Sequence, residues 1–161
     1  MANDEYDKVE LPALNQLKSL GWIYVEGSAL SPEESDERTS FKDVVLEKRL
    51  TKSIKHINSW INDENLRKVV RDLTISQFPN LIEANQSNWE ELTQYISVLQ
   101  DRGQGNRGQT VKIIDFENPE NNEFLCTNQF KVSGIKQNII PDIVLFVNGL
   151  PLAVIECKSP Y

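Results

Sequence analysis

The sequence lacks the features that mark membrane, secreted and disulfide-stabilised proteins. No apolar run approaches the roughly 20 residues of a membrane-spanning helix. The first residues, MANDEYDKVE, contain no basic segment followed by an apolar one, which argues against a secretory signal. The two cysteines, Cys126 and Cys157, lie far apart without the spacing of metal ligands. We therefore expect reduced thiols and a cytoplasmic protein.

Histidine and positive charge are also scarce. The one histidine, His56, has no sequence partner for catalysis or metal binding, so we expect it near the surface of a helix. The chain has 17 lysines and arginines against 24 acidic residues, and its formal net charge is -7. This balance disfavours a domain that grips nucleic acid by bulk electrostatics. Any DNA contact would have to be local or helped by a partner.

The remaining composition is that of an ordinary globular domain. With 161 residues, of which 39% are hydrophobic, the chain can bury a sizeable core, and we expect a single domain over residues 1–161. The glycine-rich segment DRGQGNRGQ, residues 101–109, has no Lys-Ser/Thr ending and precedes a strand instead of a helix. We interpret it as a flexible connection and not as a phosphate-binding loop.

Apolar spacing predicts helices in the first two thirds of the chain. Val9, Leu14 and Leu17 recur at helical steps, with Pro12 in the first turn and Gly21 as the stop. A short strand at 22–26 and an exposed loop at 27–40 follow. Further helical patterns cover residues 41–61, 66–73 and 87–103. We expect the tryptophans in the core, at positions Trp22, Trp60 and Trp89.

Strands are predicted in the last third. TVKIIDF at 110–116 and the alternating segment EFLCTNQFKV at 123–132 have strand character. IVLFV and LAVI, at 143–147 and 152–155, do not alternate, so we expect central strands covered on both faces and joined by a hairpin at Asn148-Gly149. The pattern predicts an α/β fold, with a mixed central sheet flanked by helices.

Charged residues stand at the ends of these two apolar strands, where burial is costly unless they are paired or hold a metal. Glu156 and Lys158 are two residues apart and share a face, whereas Cys157 points to the opposite face and packs there as a small hydrophobe. Asp142 begins the neighbouring strand. Two such carboxylates can hold a hard divalent cation such as Mg²⁺, and a neighbouring ammonium can stabilise added negative charge on a phosphoryl group. This set is sufficient for phosphodiester hydrolysis.

Strand parity sets a condition on this hypothesis. A regular two-residue loop at Asn148-Gly149 would pair Asp142 with Ile155 and turn Glu156 to the other face. A shared site therefore requires an odd-length loop or a bulge, which a left-handed glycine after a type I turn could supply.

In the segment PDIVLFVNGLPLAVIECK, residues 141–158, Asp142 of a Pro-Asp pair stands fourteen residues before Glu156 of Glu-Cys-Lys, a pattern that resembles the PD-(D/E)xK nuclease motif. The whole segment resembles the N-terminal nuclease domain of the restriction (R) subunit of type I restriction-modification enzymes. The segments LNQLKSLGW at 14–22, IIDFENPENNEF at 113–124 and NQFKV at 128–132 are similar to that family in the same order. The resemblance covers nearly the whole chain and implies the restriction-endonuclease-like fold.

The resemblance also implies roles for individual residues. Asp142, Glu156 and the backbone carbonyl of Cys157 would be ligands of Mg²⁺ or Mn²⁺, and Lys158 would be the catalytic base or the group that stabilises the transition state. Glu10, eleven residues before Gly21, matches the family's helical glutamate and would reach the metal directly or through water. Glu5 is an alternative for that role.

The same resemblance implies binding partners, and this sequence departs from the family's pattern at two points. Double-stranded DNA would be the substrate, with methyltransferase (M) and specificity (S) subunits as partners and ATP bound only in motor domains. Ile140 stands where the family often has a basic residue, and Lys136 is the nearest cation. The chain ends at KSPY, whereas the family continues with a helix bearing a Gln-and-Tyr motif and then the motor, so we expect a fragment of a larger subunit.

Two alternatives to a restriction nuclease remain open. The chain could be a nuclease-fold interaction or DNA-binding module without activity of its own, which the intact set of Asp142, Glu156 and Lys158 disfavours. It could also be a stand-alone structure-specific nuclease such as a junction resolvase. The acidic net charge and the lack of a basic patch disfavour that second alternative, because a resolvase must bind DNA unaided.

Overall fold

The structure is a computed structural model that describes residues 6–75, 80–94, 96–134 and 136–158. The chain divides into two compact units. The first comprises Met1–Leu46 together with Glu123–Tyr161, and the second comprises Glu47–Asn122. The expectation of a single domain stays a prediction. Within the described part of the chain, no helix is both long and apolar enough to cross a bilayer.

In its described residues the first unit contains one α-helix and a small mixed sheet. A π-helical turn at Tyr6–Glu10 leads into helix α1 at Leu11–Ser19, and a 3₁₀ turn occupies Gly27–Leu30. The main strands are β1 at Ile23–Tyr24, β4 at Phe124–Asn128, β7 at Ile143–Val147 and β8 at Leu150–Ile155. Two further short strands, β5 at Val132–Ser133 and β6 at Asn138–Ile139, pair with each other.

The strand order of the main sheet is β1-β4-β7-β8, in which β1 and β4 are parallel and the other pairs are antiparallel. The predicted mixed α/β architecture is thus confirmed. Strand β7 is central and almost continuously buried, as its apolar run predicts. Strand β8 lies at the edge of the sheet, and Leu152 and Val154 are exposed, so the expectation that it is covered on both faces is wrong.

Apolar side chains cover both faces of β7, because successive residues of a strand point to opposite sides. Val144 and Phe146 pack into one cluster with Leu30, Leu46, Leu125 and Phe130. Ile143 packs on the other face with Leu14 of α1, Cys126 and Cys157. Cys157 is therefore a buried, small apolar residue, as predicted.

Helix α1 ends as the sequence indicates. Gly21 has a φ of +93°, the left-handed conformation that favours glycine directly after a helix. Leu14 is fully buried, which anchors the helix on the sheet. Trp22, which follows the stop, packs edge-on against Phe124 with 5.3 Å between the ring centroids.

The second unit contains three helices and a hairpin. Helix α2 covers Glu47–Ile57, α3 covers Asp63–Thr74 and α4 covers Leu81–Gln94. Strands β2 at Ile96–Asp101 and β3 at Asn106–Val111 form an antiparallel hairpin. His56 is exposed, as expected.

The hairpin corrects two sequence predictions. The helix predicted over residues 87–103 ends at Gln94, and Ile96–Asp101 is a strand in which Val98 and Gln100 are buried between exposed neighbours. This two-residue alternation prevails because six consecutive residues pair with β3. The strand predicted at 110–116 begins earlier, at Asn106, and ends at Val111. Trp89 is 66% exposed, so its predicted core position is wrong.

Candidate functional site

Glu10 is the last residue of the π-helical turn, directly before α1, and only 5% of its surface is exposed. Its Oε1 accepts a hydrogen bond of 2.9 Å from Asn128 Nδ2, and its Oε2 accepts one of 3.4 Å from Gln129 Nε2. A solvated glutamate on a helix surface is thereby excluded. Buried carboxylates need such donors, because an unpaired buried charge is strongly destabilising. The alternative residue, Glu5, lies outside the described residues.

Asn128 connects Glu10 to the sheet. It is the last residue of β4 and is buried, and its Oδ1 accepts a hydrogen bond of 2.9 Å from the hydroxyl of Tyr24 in β1. Burial, followed by the nearby Tyr6, Glu26 and Glu10, raises the pKa of Tyr24, so this hydroxyl keeps its proton. With Tyr24 as its donor, the Asn128 amide directs its NH₂ group at Glu10.

Backbone geometry fixes Asn128 and Gln129. Gln129 has a φ of +52°, a left-handed conformation that is uncommon for a residue with a side chain. Gly27, at the start of the 3₁₀ turn, packs so closely here that an added Cβ would lie 2.2 Å from the Asn128 carbonyl oxygen. Only glycine allows this approach, and the packing holds the two amide side chains beside Glu10.

Asp142 lies just before β7 and is half-buried. Its Oδ2 accepts a hydrogen bond of 2.6 Å from the backbone N–H of Cys157, and its carbonyl oxygen accepts one of 3.1 Å from the Gln129 N–H. Asp142 therefore joins the end of β4 to the residues that follow β8. Its other carboxylate oxygen has no hydrogen bond among the described residues.

The β7–β8 register meets the parity condition through a bulge. Asn148 and Gly149 have φ values of +54° and +84° and form a two-residue turn, as the Asn-Gly signal predicts. The register then shifts, because Phe146 pairs with Pro151 and Leu145 pairs with Ala153, which leaves Leu152 as the extra residue.

Beyond this bulge Ile143 pairs with Ile155, so continuing by one residue sets Asp142 opposite Glu156 and directs both side chains to the same face. The bulge lies at Leu152 within β8, and not at the turn where the sequence suggested it.

The two remaining predicted residues follow β8 directly. Glu156 and Lys158 are exposed, whereas Cys157 between them is buried against Ile143 and Leu14. This alternation continues the strand pattern beyond the last paired residue. Glu156 and Lys158 thus lie on the side of the chain opposite Cys157.

Glu10, Asn128 and Asp142 open onto one cleft of about 500 Å³. Its lining residues are mostly polar: Tyr6, Glu10, Tyr24, Glu26, Asn128, Gln129 and Asp142. The structure thus brings Glu10 and Asp142 to one site, while Glu156 and Lys158 do not line the cleft. No three His, Cys, Asp or Glu side chains in the described ranges are grouped closely enough for a metal centre.

The donor chemistry of the cleft nevertheless suits a hard divalent cation. Glu10, Glu26 and Asp142 supply carboxylate oxygens, and the Asn128 and Gln129 amides orient one of these carboxylates. Oxygen donors are what Mg²⁺ prefers. Glu26, Asn128 and Gln129 were missed by sequence reasoning. Asn128 and Gln129 lie within the strand predicted at 123–132, where no sequence signal distinguishes them from their neighbours.

The first unit thus combines a mixed sheet with a carboxylate-lined cleft where β4 ends and β7 begins. Residues 3–161 match the family described as Type I restriction enzyme R protein N terminus, and the chain belongs to that family.

Named relatives agree with this membership. The chain is 38% identical over 161 residues to the "Putative type I restriction enzyme MjaIXP endonuclease subunit" of Methanocaldococcus jannaschii, an alignment that covers 98% of this chain and 15% of that protein. It is 32% identical over 154 residues to the "Type I restriction enzyme HindI endonuclease subunit" of Haemophilus influenzae, covering 94% and 15%. The chain thus spans about 15% of the length of these curated relatives.

Proposed function

We propose that this chain is the metal-dependent nuclease domain of a type I restriction enzyme R subunit, with a PD-(D/E)xK fold, and that it hydrolyses DNA phosphodiester bonds. The observation that carries the proposal is the meeting of Glu10 and Asp142 in one polar cleft, although they come from opposite ends of the sequence. Glu10 would not be buried and held by two amide donors if it were an ordinary surface residue.

In this proposal Asp142, Glu156, the Cys157 carbonyl and Glu10 would hold Mg²⁺, or Mn²⁺ in its place. Such an ion would polarise a phosphoryl oxygen and lower the pKa of a bound water. Asn128 and Gln129 hold Glu10 in its orientation. Lys158, on the same side of the chain as Glu156, stabilises the negative charge that develops on the phosphate.

The wider assembly is part of the same proposal, and the names of the relatives, endonuclease subunits of type I restriction enzymes, support it. In that setting double-stranded DNA is the substrate. Methyltransferase and specificity subunits bind the full-length R subunit in the cytoplasm, and ATP is used by motor domains elsewhere in that subunit.

Nicking of supercoiled plasmid tests the chemical part of the proposal. At low salt with Mn²⁺, the wild-type chain should nick slowly, and Asp142→Ala and Lys158→Ala should abolish nicking. Lys136→Ala is a control, since Lys136 is an exposed cation that the proposal places outside the catalytic set. Equal nicking by all four proteins would mean a contaminating nuclease, and would leave the proposal without support.

Thermal stability tests metal binding separately. Carboxylates gathered at one site repel each other, so a divalent ion that relieves this repulsion should raise the melting temperature. Glu156→Ala should abolish the rise, whereas Lys158→Ala should keep most of it, because an ammonium is not a ligand. Glu64→Ala, which removes an exposed acid of α3, is the control. An equal rise in wild type and Glu156→Ala would contradict Glu156 as a ligand.

A further inference from the structure

We propose that the tip of the β2–β3 hairpin contacts the phosphate backbone of duplex DNA through Arg102 and Arg107. This inference rests on the proposed function, for which it names the point of contact with the substrate. Both arginines are exposed, and with Gln104, Gly105 and Gln109 they line a shallow cleft of about 270 Å³. No carboxylate lines this cleft.

The loop between the two arginines is ordered by Asp101. Its Oδ1 accepts hydrogen bonds from the backbone N–H groups of Gly103, Gln104 and Gly105, at 2.7, 3.0 and 2.9 Å. Gly103 and Gly105 have φ values of +94° and +79°, which glycine adopts without strain. The exposed carboxylate of Asp101 therefore binds the backbone of the loop through Oδ1. The segment predicted to be a flexible connection is a defined turn.

Neutral partners orient the two guanidinium groups. Arg102 lies over the Trp60 ring at 5.1 Å from its centroid and donates to Gln109 Oε1 at 3.5 Å. Arg107 donates to Gln104 Oε1 at 3.3 Å. Among the described residues neither arginine forms an ion pair, whereas the nearby Lys112 is bound to Asp115 and Glu117.

These observations favour phosphate as the ligand. A guanidinium has five N–H donors in a planar fork that matches phosphate oxygens, and the glutamines occupy only some of them. In a chain of net charge -7, two uncompensated cations in one concave surface form a local positive site. Sequence reading did not reveal it, because Arg102 and Arg107 are brought together by the hairpin.

The test is the salt dependence of binding to a fluorescein-labelled 20-base-pair duplex, by anisotropy in EDTA with the full chain. Each neutralised phosphate contributes about 0.9 to the slope of log K against log salt, so Arg102→Gln/Arg107→Gln should reduce the slope by about 1.8 and weaken binding. The control Arg67→Gln/Lys68→Gln removes two exposed cations of α3 and should leave the slope unchanged.

A second variant leaves the arginines in place. Gln104→Glu/Gln109→Glu puts isosteric carboxylates beside both guanidiniums and should weaken binding as well. Unchanged binding by both hairpin variants, or an equal loss in the α3 control, would overturn the inference. Because EDTA removes divalent metal, this assay measures DNA binding without cleavage. If Asp142→Ala nicks plasmid as fast as wild type while the hairpin variants bind duplex DNA more weakly, the nuclease proposal fails. The proposed phosphate contact is then supported by itself.

Discussion

At the scale of single residues, the orientation of one amide decides how Glu10 faces the cleft. Tyr24 donates to Asn128 Oδ1, so the Asn128 NH₂ group is left to donate to Glu10. The second amide, from Gln129, donates to the other oxygen. The two amide donors therefore fix the orientation of the Glu10 carboxylate. Each of its oxygens keeps a lone pair that can bind another partner. Neither amide was predicted from the sequence, since both act through contacts with residues more than 100 positions away.

Substitution of Asn128 tests this arrangement. Asn128→Ala leaves a buried carboxylate oxygen without its donor, and we expect a loss of about 1–3 kcal/mol in the free energy of unfolding. Asn128→Asp should be at least as damaging, because it sets a second negative charge against Glu10. Tyr24→Phe removes only the hydroxyl and should cost less. Urea unfolding measures all three variants. If Asn128→Asp matches wild type in stability, the hydrogen bond to Glu10 is not formed.

At the scale of elements, the close approach of the Gly27–Leu30 turn to the end of β4 supports the site. A Cβ at position 27 would also lie 2.7 Å from the Gln129 carbonyl oxygen, which belongs to the backbone and cannot rotate away. Such overpacking costs typically about 1–3 kcal/mol. The turn therefore determines where the two amides stand.

Gly27→Ala should accordingly displace Asn128 and Gln129 and reduce the rise in melting temperature that we expect on addition of Mn²⁺. Gly21→Ala is the matched control. Its Cβ meets nothing within 4 Å, and its left-handed backbone should cost about 1 kcal/mol at the far end of α1. We expect both variants to be less stable, but only Gly27→Ala to lose metal-induced stabilisation. If Mn²⁺ raises the melting temperature of Gly27→Ala as much as that of wild type, the turn does not influence metal binding.

The turn after β3 gives a prediction about pH. Hydrogen bonding from Asn121, then from the Asn118 N–H, together with the charge of Lys112, lowers the pKa of Asp115 from 3.8 to about 2. A carboxyl group with a lowered folded-state pKa stabilises the fold above its unfolded pKa, and this contribution is lost as the pH falls through the folded value. The stabilisation should thus be complete near neutrality and should fade from 3.8 towards about 2.

Urea midpoints of wild type and Asp115→Asn measure this contribution. The wild type should be more stable at neutral pH, and the difference should shrink as the solution is acidified below the ordinary carboxyl pKa. Glu120→Gln, at an exposed position of the same turn, should show little difference at any pH. If the difference in urea midpoint between wild type and Asp115→Asn stays constant with pH, the charged carboxylate is not the cause of that difference.

At the scale of the whole molecule, charge limits what the chain does alone. The net charge of -7 repels a phosphate backbone, and two hairpin arginines supply few of the contacts that duplex binding requires at physiological salt. Catalysis would then be limited by binding, even with every proposed catalytic group in place. The curated relatives are far longer, since the chain spans about 15% of their length.

We therefore expect plasmid nicking by the 161-residue chain to be detectable only at low salt and to fall steeply as salt is raised. Tethering the chain to an unrelated duplex-binding domain should restore nicking at higher salt, provided that Asp142 and Lys158 are intact. The same fusion with Asp142→Ala is the control. Efficient nicking by the untethered chain at physiological salt would contradict this expectation and favour an autonomous nuclease.

Sequence by itself determined the features that depend on neighbours along the chain. The Asn148-Gly149 turn, the Gly21 helix stop and the apolar run of β7 each follow from local backbone preference or side-chain period. Family membership could likewise be predicted from the sequence, because the segment at 141–158 and the segments at 14–22, 113–124 and 128–132 occur in the same order as in the family. The spacing of Asp142, Glu156 and Lys158 was visible for the same reason.

Tertiary structure alone decided the rest, because register, burial and pairing depend on residues distant in the chain. The bulge at Leu152 sets Asp142 opposite Glu156, and no local signal marks it. Pairing with β3 turned a helical spacing at 96–101 into a strand. Glu10 became a buried group of a cleft only because β4 ends beside it and delivers Asn128. A one-dimensional pattern reports what each segment can form, and packing selects among those possibilities.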